Sequence, residues 1–503
     1  MKQLGYIPRA ISAHFQKLVG MYPVVTIAGP RQSGKTTLAR HLYPEYDYVS
    51  MEDLRARQYF YEDPTHFLQQ HHAPCIFDEV QNTPELLSYL QGIVDEENRP
   101  GMYIQTGSRQ LEWQETVTQS LAGRTGVIDL LPLSMQELRA ADVQMSRDEM
   151  LFTGCLPRVY EKGLDPQQVY ADYWRTYIER DVRQIVNVRS LKHFELFLKL
   201  LASRVGQVIN CSSLANDVGV SASTIGEWIS VLEASYVVFT VYPYYNNYGK
   251  RLTKSPKIYF TEPGVVSCLL DIETPSQLGR DPLLGHIFEN MVVVEALKAR
   301  FNAGKRSNLY FFRDTRGFEV DLILDEQRRP RPVEIKSGMT FTPAMVRNVQ
   351  QFASAVKDSL PPALIYGGET MGMFQNVQVC SLGDMNAVIS REKDVCGYLC
   401  KIQASILNFT QMFASYSESA AEGSVGDALE EDEGVVLQGV EELEVGFGVD
   451  GVVLSAPETS HFLHAEGLGL HEKALQFRVV RGGVLGSGGA FVVEHRHHAL
   501  ARR

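Results

Sequence analysis

The stretch YPVVTIAGPRQSGKTTLARHLYP, residues 22–44, constrains the fold of this chain more than any other. It reads as an apolar strand, a glycine-bounded loop and a helix opening near Lys35, and it fits G-x-x-x-x-G-K-T from Gly29 to Thr36. Phosphate oxygens need backbone N–H groups presented without side-chain obstruction, which Gly29 and Gly34 allow, and they gain from the helix N-terminus beneath them. Gly29, Pro30, Arg31, Gln32, Ser33, Gly34, Lys35, Thr36 and Thr37 are therefore expected to wrap nucleotide phosphates. Lys35 is expected to reach the β- and γ-phosphates and Thr36 to ligate Mg2+.

A strand before such a loop and a helix after it predict an α/β domain with a parallel sheet. PCIFDEVQ, residues 74–81, supplies a second apolar strand, ending in Asp78 and Glu79. Strands buried on both faces give such runs, and ligands sit at their carboxyl ends. Asp78 is expected to hold the metal through water or through Thr36, and Glu79 to orient and polarise the attacking water. GMYIQTGSRQ, residues 101–110, is a third strand, ending in Thr106 and Ser108. Thr106 is a candidate γ-phosphate sensor, with helix capping as its alternative role.

The 503 residues predict about three domains of usual size. The net charge of -12 argues against a surface that coats nucleic acid, yet about eight of those charges lie beyond residue 400, which leaves room for a local basic groove. Seven cysteines without paired metal-site spacing predict reduced thiols and a cytoplasmic setting. No run is apolar for the roughly 20 residues a membrane span needs, so no membrane partner is expected.

From GPRQSGKTTLA, IFDEVQ, TGSRQ, SLAGRTGVIDLLPLS, YIERDVRQI, and EVDLIL with VEIKSG, in that order and spacing, residues 1 to about 392 resemble the prokaryotic AAA-type P-loop ATPases that carry a poorly characterised C-terminal domain. The resemblance implies ATP as the nucleotide, hydrolysis with Mg2+, and Arg124 as an arginine finger, often acting in a neighbouring subunit, hence a homo-oligomer. The expected layout is an ATPase domain over 1–150, a helical and winged-helix domain over 151–275, an α/β nuclease-like domain over 276–392, and an acidic, Gly/Val-rich tail over 393–503. The tail is expected to be disordered, with an added β-hairpin from its Val-rich runs as the alternative.

In the middle, residues 211–247 read as a short helix, a turn at Gly219, a helix opened by Ser221 and a β-rich continuation: a winged helix-turn-helix. Its second helix offers Ser221, Ser223, Thr224 and Glu227 but no basic residue, which favours a structural role over base reading. Lys250, Arg251 and Lys254 in the wing are candidates for phosphate contact.

Further on, EVDLILDEQRRPRPVEIKSG, residues 319–338, reads as two strands and a turn, with Glu334 and Lys336 on one face of the second strand. A helix carrying Glu289 and Glu295 precedes it, and a helix and an apolar strand follow. This order resembles the core of PD-(D/E)XK nucleases. The resemblance implies Glu289 as the helix carboxylate, Asp321 and Glu334 as metal ligands, and Lys336 as the residue that orients water or stabilises phosphate. Arg313, Arg316, Arg328, Arg329 and Arg331 suit a basic rim for nucleic acid and equally a solvated, aggregation-resistant edge. Three functions stay open at this point. They are a Mg-dependent ATP-driven switch or remodeller, an ATP-regulated metal-dependent nuclease, and an ATP-sensing DNA-binding regulator.

Overall fold

The computed structural model describes residues 3–107, 121–176, 190–245, 255–369 and 371–389, together with the backbone of five strands between 442 and 495. Ser108, the YIERDVRQI segment, Lys250, Arg251 and Lys254 lie outside the described residues. The chain divides into two compact units, residues 1–406 and 407–503.

The first unit opens with helix α1 (Ser12–Val19) and then builds a five-stranded parallel sheet from β1 (Val24–Ala28), β2 (Asp47–Ser50), β3 (Cys75–Asp78), β4 (Tyr103–Gly107) and β5 (Thr125–Asp129). The strand order is β2-β3-β4-β1-β5, and every pairing within it is parallel. β1, β3 and β4 are buried along their whole length, as expected of central strands covered on both faces. Helix α2 (Lys35–Leu42) follows β1, and helix α3 (Leu86–Glu97) lies between β3 and β4 in sequence. Helix α4 (Met135–Ala140) starts in a capping box, in which Ser134 and Glu137 satisfy each other's backbone N–H groups.

The middle of the chain is helical. Helix α5 (Leu191–Ser203) precedes α6 (Cys211–Val218), which ends at Gly219 with φ 82°, and α7 (Ala222–Ala234), which Ser221 caps. β6 (Val238–Pro243) and β7 (Lys257–Phe260) then pair antiparallel. The expected boundary at 275/276 does not interrupt the sheet: β6 also pairs parallel with β8 (Leu309–Arg313) through Tyr242 and Pro243. The two strands thereby join an eight-stranded mixed sheet, with β6 between β7 and β8 at one edge.

Helix α8 (Leu284–Asn302) runs from the middle region into this sheet's domain and buries twelve consecutive residues, Ile287–Lys298. A helix covered on all sides needs internal partners for its charges, and Glu289, Glu295 and Lys298 all find them. β9 (Glu319–Glu326) and β10 (Arg329–Lys336) form the expected hairpin, in register at Val333 and Leu322. Helix α9 (Arg347–Ala355) and β11 (Ala363–Tyr366), parallel to β10, follow in the expected order, and β12 (Gly372–Phe374) and β13 (Val377–Ser381) complete the sheet.

The second unit holds β14 (Glu442–Gly448), β15 (Gly451–Ala456), β16 (Thr459–His464), β17 (Gln476–Arg481) and β18 (Phe491–His495), an antiparallel sheet ordered β16-β15-β14-β17-β18. These strands include the Val-rich runs, whereas the acidic stretch before residue 441 lies outside the described residues.

Candidate functional site

The loop between β1 and α2 is shaped by its glycines. Gly29 has φ 151°, and a Cβ there would sit 2.2 Å from the Leu130 carbonyl oxygen, so no side chain fits. Gly34, at φ 93°, caps α2. Lys35 is buried, and its Nζ folds back to donate to the carbonyls of Gly29 (3.1 Å) and Pro30 (2.8 Å). Burial pulls its pKa down, against the opposing pull of Glu79 and Asp78.

Three elements converge on one carboxylate. Thr36 Oγ1 donates to Asp78 Oδ1 at 2.6 Å, and Thr106 Oγ1 donates to the same oxygen at 2.6 Å while accepting from the Glu79 N–H at 3.1 Å. Tyr48 donates to Asp78 Oδ2 at 3.1 Å, and burial together with the Asp78 charge pushes its phenol up to about 12, so it stays a donor. Glu79 itself takes a left-handed backbone conformation, φ 56°, and its carboxylate accepts from the Gln81 amide. The loop, Thr36, Asp78, Glu79 and Thr106 thus meet at the carboxyl ends of β1, β3 and β4. Thr36 and Asp78 offer hard oxygen donors of the kind Mg2+ takes.

Arg124 is placed elsewhere. β1 and β5 are parallel with Val24 opposite Thr125, so Arg124 lies at the amino edge of the sheet, away from its own phosphate loop. There its guanidinium pairs with both oxygens of Asp95 on α3. A finger acting within its own chain is excluded by this placement; only the action in a neighbouring subunit that the resemblance implied is left.

Arg9 belongs to the site, although no sequence motif marks it. Its side chain is almost fully buried and donates to the Ser33 carbonyl (2.7 Å), the Leu131 carbonyl (2.6 Å) and Glu137 Oε1 (3.1 Å). Glu137 also accepts from the backbone of Ala10 and Ser134. Next to it, the Met135 N–H donates to Glu295 Oε2 on α8 at 2.8 Å. Lys298 joins Glu295 (2.7 Å) to the Leu133 carbonyl (2.8 Å). A buried polar chain therefore runs from the phosphate loop through α4 to α8.

The same helix, α8, brings Glu289 toward β9 and β10. Lys336 Nζ lies 3.3 Å from Asp321 Oδ2 and 2.6 Å from Glu334 Oε1, and the Ile335 N–H donates to Asp321 Oδ2 at 2.8 Å. Glu289 Oε1 instead meets Lys257 Nζ (3.0 Å) and the Tyr259 hydroxyl (2.6 Å), both from β7. Lys257 also meets Glu319 Oε1 at 2.7 Å. Burial pushes Glu289 up to about 7 against the opposing pull of Lys257, and burial with the Asp321 charge pushes Glu334 up to about 7. The four residues expected from the sequence do come together, with Lys257, Tyr259 and Glu319 as additions. As metal ligands they do not fit this arrangement: lysines hold the carboxylates, and among the described residues no group of three or more His, Cys, Asp or Glu is set to hold a metal ion.

Comparison with known proteins agrees with the amino-terminal geometry. Residues 21–139 match a family model described as an AAA domain, which identifies an AAA-type ATP-binding domain there. Residues 144–276 and 284–385 match models of two distinct domains of unknown function. Uncharacterized proteins of Mycobacterium tuberculosis and Mycobacterium bovis are each 29% identical over 368 residues, which is 72% of this chain and 80% of each relative. Among solved structures, a Walker-type ATPase of Pyrococcus abyssi is 15% identical with a TM-score of 0.33, covering 54% of this chain and 98% of its own. AMPPCP-bound DnaA of Aquifex aeolicus is 13% identical with a TM-score of 0.24, covering 44% and 86%. Among the described residues no helix is long and apolar enough to cross a membrane.

Proposed function

We propose that this chain is a Mg2+-dependent ATP-hydrolysing switch, in which the state of the phosphate loop is passed to the middle and C-terminal domains. In this reading Gly29 to Thr37 bind the phosphates, and Lys35 leaves the Gly29 and Pro30 carbonyls for the β- and γ-phosphates. Thr36, with Asp78 behind it, would hold Mg2+, whose charge would offset that of the phosphates. Glu79 orients water, and Thr106 senses the γ-phosphate through the hydrogen bonds it makes to both Asp78 and Glu79. Arg124 acts on a neighbouring copy's nucleotide, which makes assembly part of the reading.

The observation that supports a switch over a self-contained hydrolase is that Arg9 joins the Ser33 carbonyl to Glu137, and the start of the same helix, α4, is tied through the Met135 N–H to Glu295 of α8. Any shift of the loop that moves the Ser33 carbonyl pulls on charges with no water to replace their partners. The test is hydrogen exchange of residues 284–302 in the Glu79→Gln variant, with and without ATP and Mg2+. Altered protection of α8 on ATP binding is expected. Unchanged protection with ATP bound sinks the switch, and absence of turnover dependent on Lys35 and Glu79 in the wild type sinks the hydrolase.

A second reading, an ATP-regulated nuclease, is favoured by the convergence of Glu289, Asp321, Glu334 and Lys336 at the head of a basic hairpin. Cleavage of plasmid or single-stranded DNA that is lost in Lys336→Ala tests it. A DNA-binding regulator built on a winged helix-turn-helix has less support. The exposed positions of α7 include Ser223, Glu227 and Ser230, and α7 carries no basic side chain for base edges.

A further inference from the structure

Two lysines divide the four carboxylates of the C-terminal centre between them. Lys336 bridges Asp321 and Glu334, both on the β9–β10 hairpin that also carries it. Lys257 bridges Glu289 of α8 and Glu319 of β9, and it comes from β7, two strands away from β8 in the sheet. The two lysines differ in exposure: the Lys257 side chain is 3% exposed and that of Lys336 38%. Lys257 is thus a full charge, buried, held by two carboxylates and stacked over the Phe311 ring at 5.4 Å. Its contact with Glu289 is reinforced by Tyr259, which donates to the same oxygen.

A hard divalent ion in this place would need several carboxylate oxygens free of cationic partners. Glu289 Oε1 and Glu319 Oε1 are taken by Lys257, and Glu334 Oε1 and Asp321 Oδ2 by Lys336. One buried oxygen, Glu334 Oε2, has no hydrogen-bond partner among the described residues. With every group ionised, two lysines and Arg313, 3.7 Å from Glu319, stand against four carboxylates and leave one negative charge over, which is the charge a further cation would meet.

We propose that Lys257 is the resident cation of this centre: an ammonium supplied by β7 stands where a divalent ion would bind and keeps the ion out. Lys257 thereby ties β7 to α8 and β9. The inference rests on the nuclease-like reading only for the place of the ion and leaves the ATPase reading untouched.

The test is Mn2+ binding to nucleotide-free, full-length protein, followed by electron paramagnetic resonance, in wild type, Asp321→Asn, Lys257→Met and Lys257→Met with Asp321→Asn. Wild type and Asp321→Asn are expected to bind alike, with no Mn2+ dependent on Asp321. Lys257→Met is expected to gain one ion per chain at least tenfold more tightly, and the added Asp321→Asn to remove it. A wild type that already binds an Asp321-dependent ion overturns the proposal without recourse to any lysine variant. So does a folded Lys257→Met protein, still competent to bind ATP, that takes up no ion. A Lys257→Met protein that binds the ion yet cuts no DNA leaves this proposal standing and removes the nuclease reading.

Discussion

Replacing Arg9 with Met tests whether the phosphate loop is held from the amino-terminal segment. The Arg9 and Glu137 side chains are 4% and 2% exposed and 3.1 Å apart. Met keeps much of the apolar stem and removes the charge, leaving the Glu137 carboxylate with the Ala10 and Ser134 N–H groups but no counter-ion. Stranding one member of a buried pair costs about 3–5 kcal/mol. Two carbonyls, Ser33 and Leu131, lose their donors as well, but such losses within one network do not add. Against a total stability on the order of 5–15 kcal/mol, this is enough to open the region locally. Hydrogen exchange of residues 29–42 and 133–140 should therefore rise, and ATP should bind roughly tenfold more weakly, about 1.4 kcal/mol, because the loop is no longer fixed at Ser33. The double variant Arg9→Met, Glu137→Gln removes both charges while keeping an acceptor for the Ala10 and Ser134 N–H groups, and should regain much of the stability but not the ATP affinity. If Arg9→Met exchanges and binds ATP as the wild type does, or if the cycle yields a coupling below about 0.5 kcal/mol, the pair is not what holds the loop.

Glu79→Gln should keep ATP binding and lower turnover by about 100-fold or more, since it removes the group proposed to polarise water; turnover within threefold of wild type assigns that role elsewhere. Arg124→Ala should leave ATP affinity unchanged in isolated chains, because Arg124 pairs with Asp95 at the far edge of the sheet. Turnover that falls in Arg124→Ala and is restored by mixing with Lys35→Ala chains would establish action between subunits, and affinity loss in the isolated chain would contradict the placement. Burial raises the pKa of Glu262, against the opposing pull of Lys298, and one of its oxygens lacks a partner among the described residues. A carboxyl raised in the folded state binds more protons there than when unfolded, so wild-type stability falls as pH climbs from the ordinary value of 4.5 through the folded pKa. Glu262→Gln should therefore gain stability relative to wild type as pH rises above 4.5 in thermal unfolding; a difference independent of pH would contradict the raised pKa.

What the sequence revealed and what it hid follow one physical division. The phosphate loop is local: glycines, lysine and threonine must sit within eight positions because one turn and one helix N-terminus make the whole cradle. Asp78, Glu79 and Thr106 are legible because strands in a parallel sheet deliver their last residues to the same edge, so two apolar runs ending in polar residues suffice. The β9–β10 hairpin is legible for a similar reason, since period two sets which face Glu334 and Lys336 share. Arg124 came only from the resemblance, which implied a finger often acting in a neighbouring subunit; it precedes β5, and in a parallel sheet a residue before a strand lies at the edge opposite a residue after one. Arg9 and Lys257 were hidden because each meets partners far along the chain, Glu137 and Leu131 in one case, Glu289 and Glu319 in the other, and no periodicity links such positions. Both are buried cations: Arg9 ties the phosphate loop to α4 within the ATPase domain, and Lys257 joins the middle region to the C-terminal domain. Burial gives them their effect, since removing one member of a buried pair strands the other charge out of water. The residues that bind nucleotide are thus readable from short motifs, whereas those that couple the domains are set by the packing around α8. On that argument, mutations that uncouple ATP from the C-terminal centre should fall at Arg9, Glu137, Glu295 and Lys257 rather than within either motif.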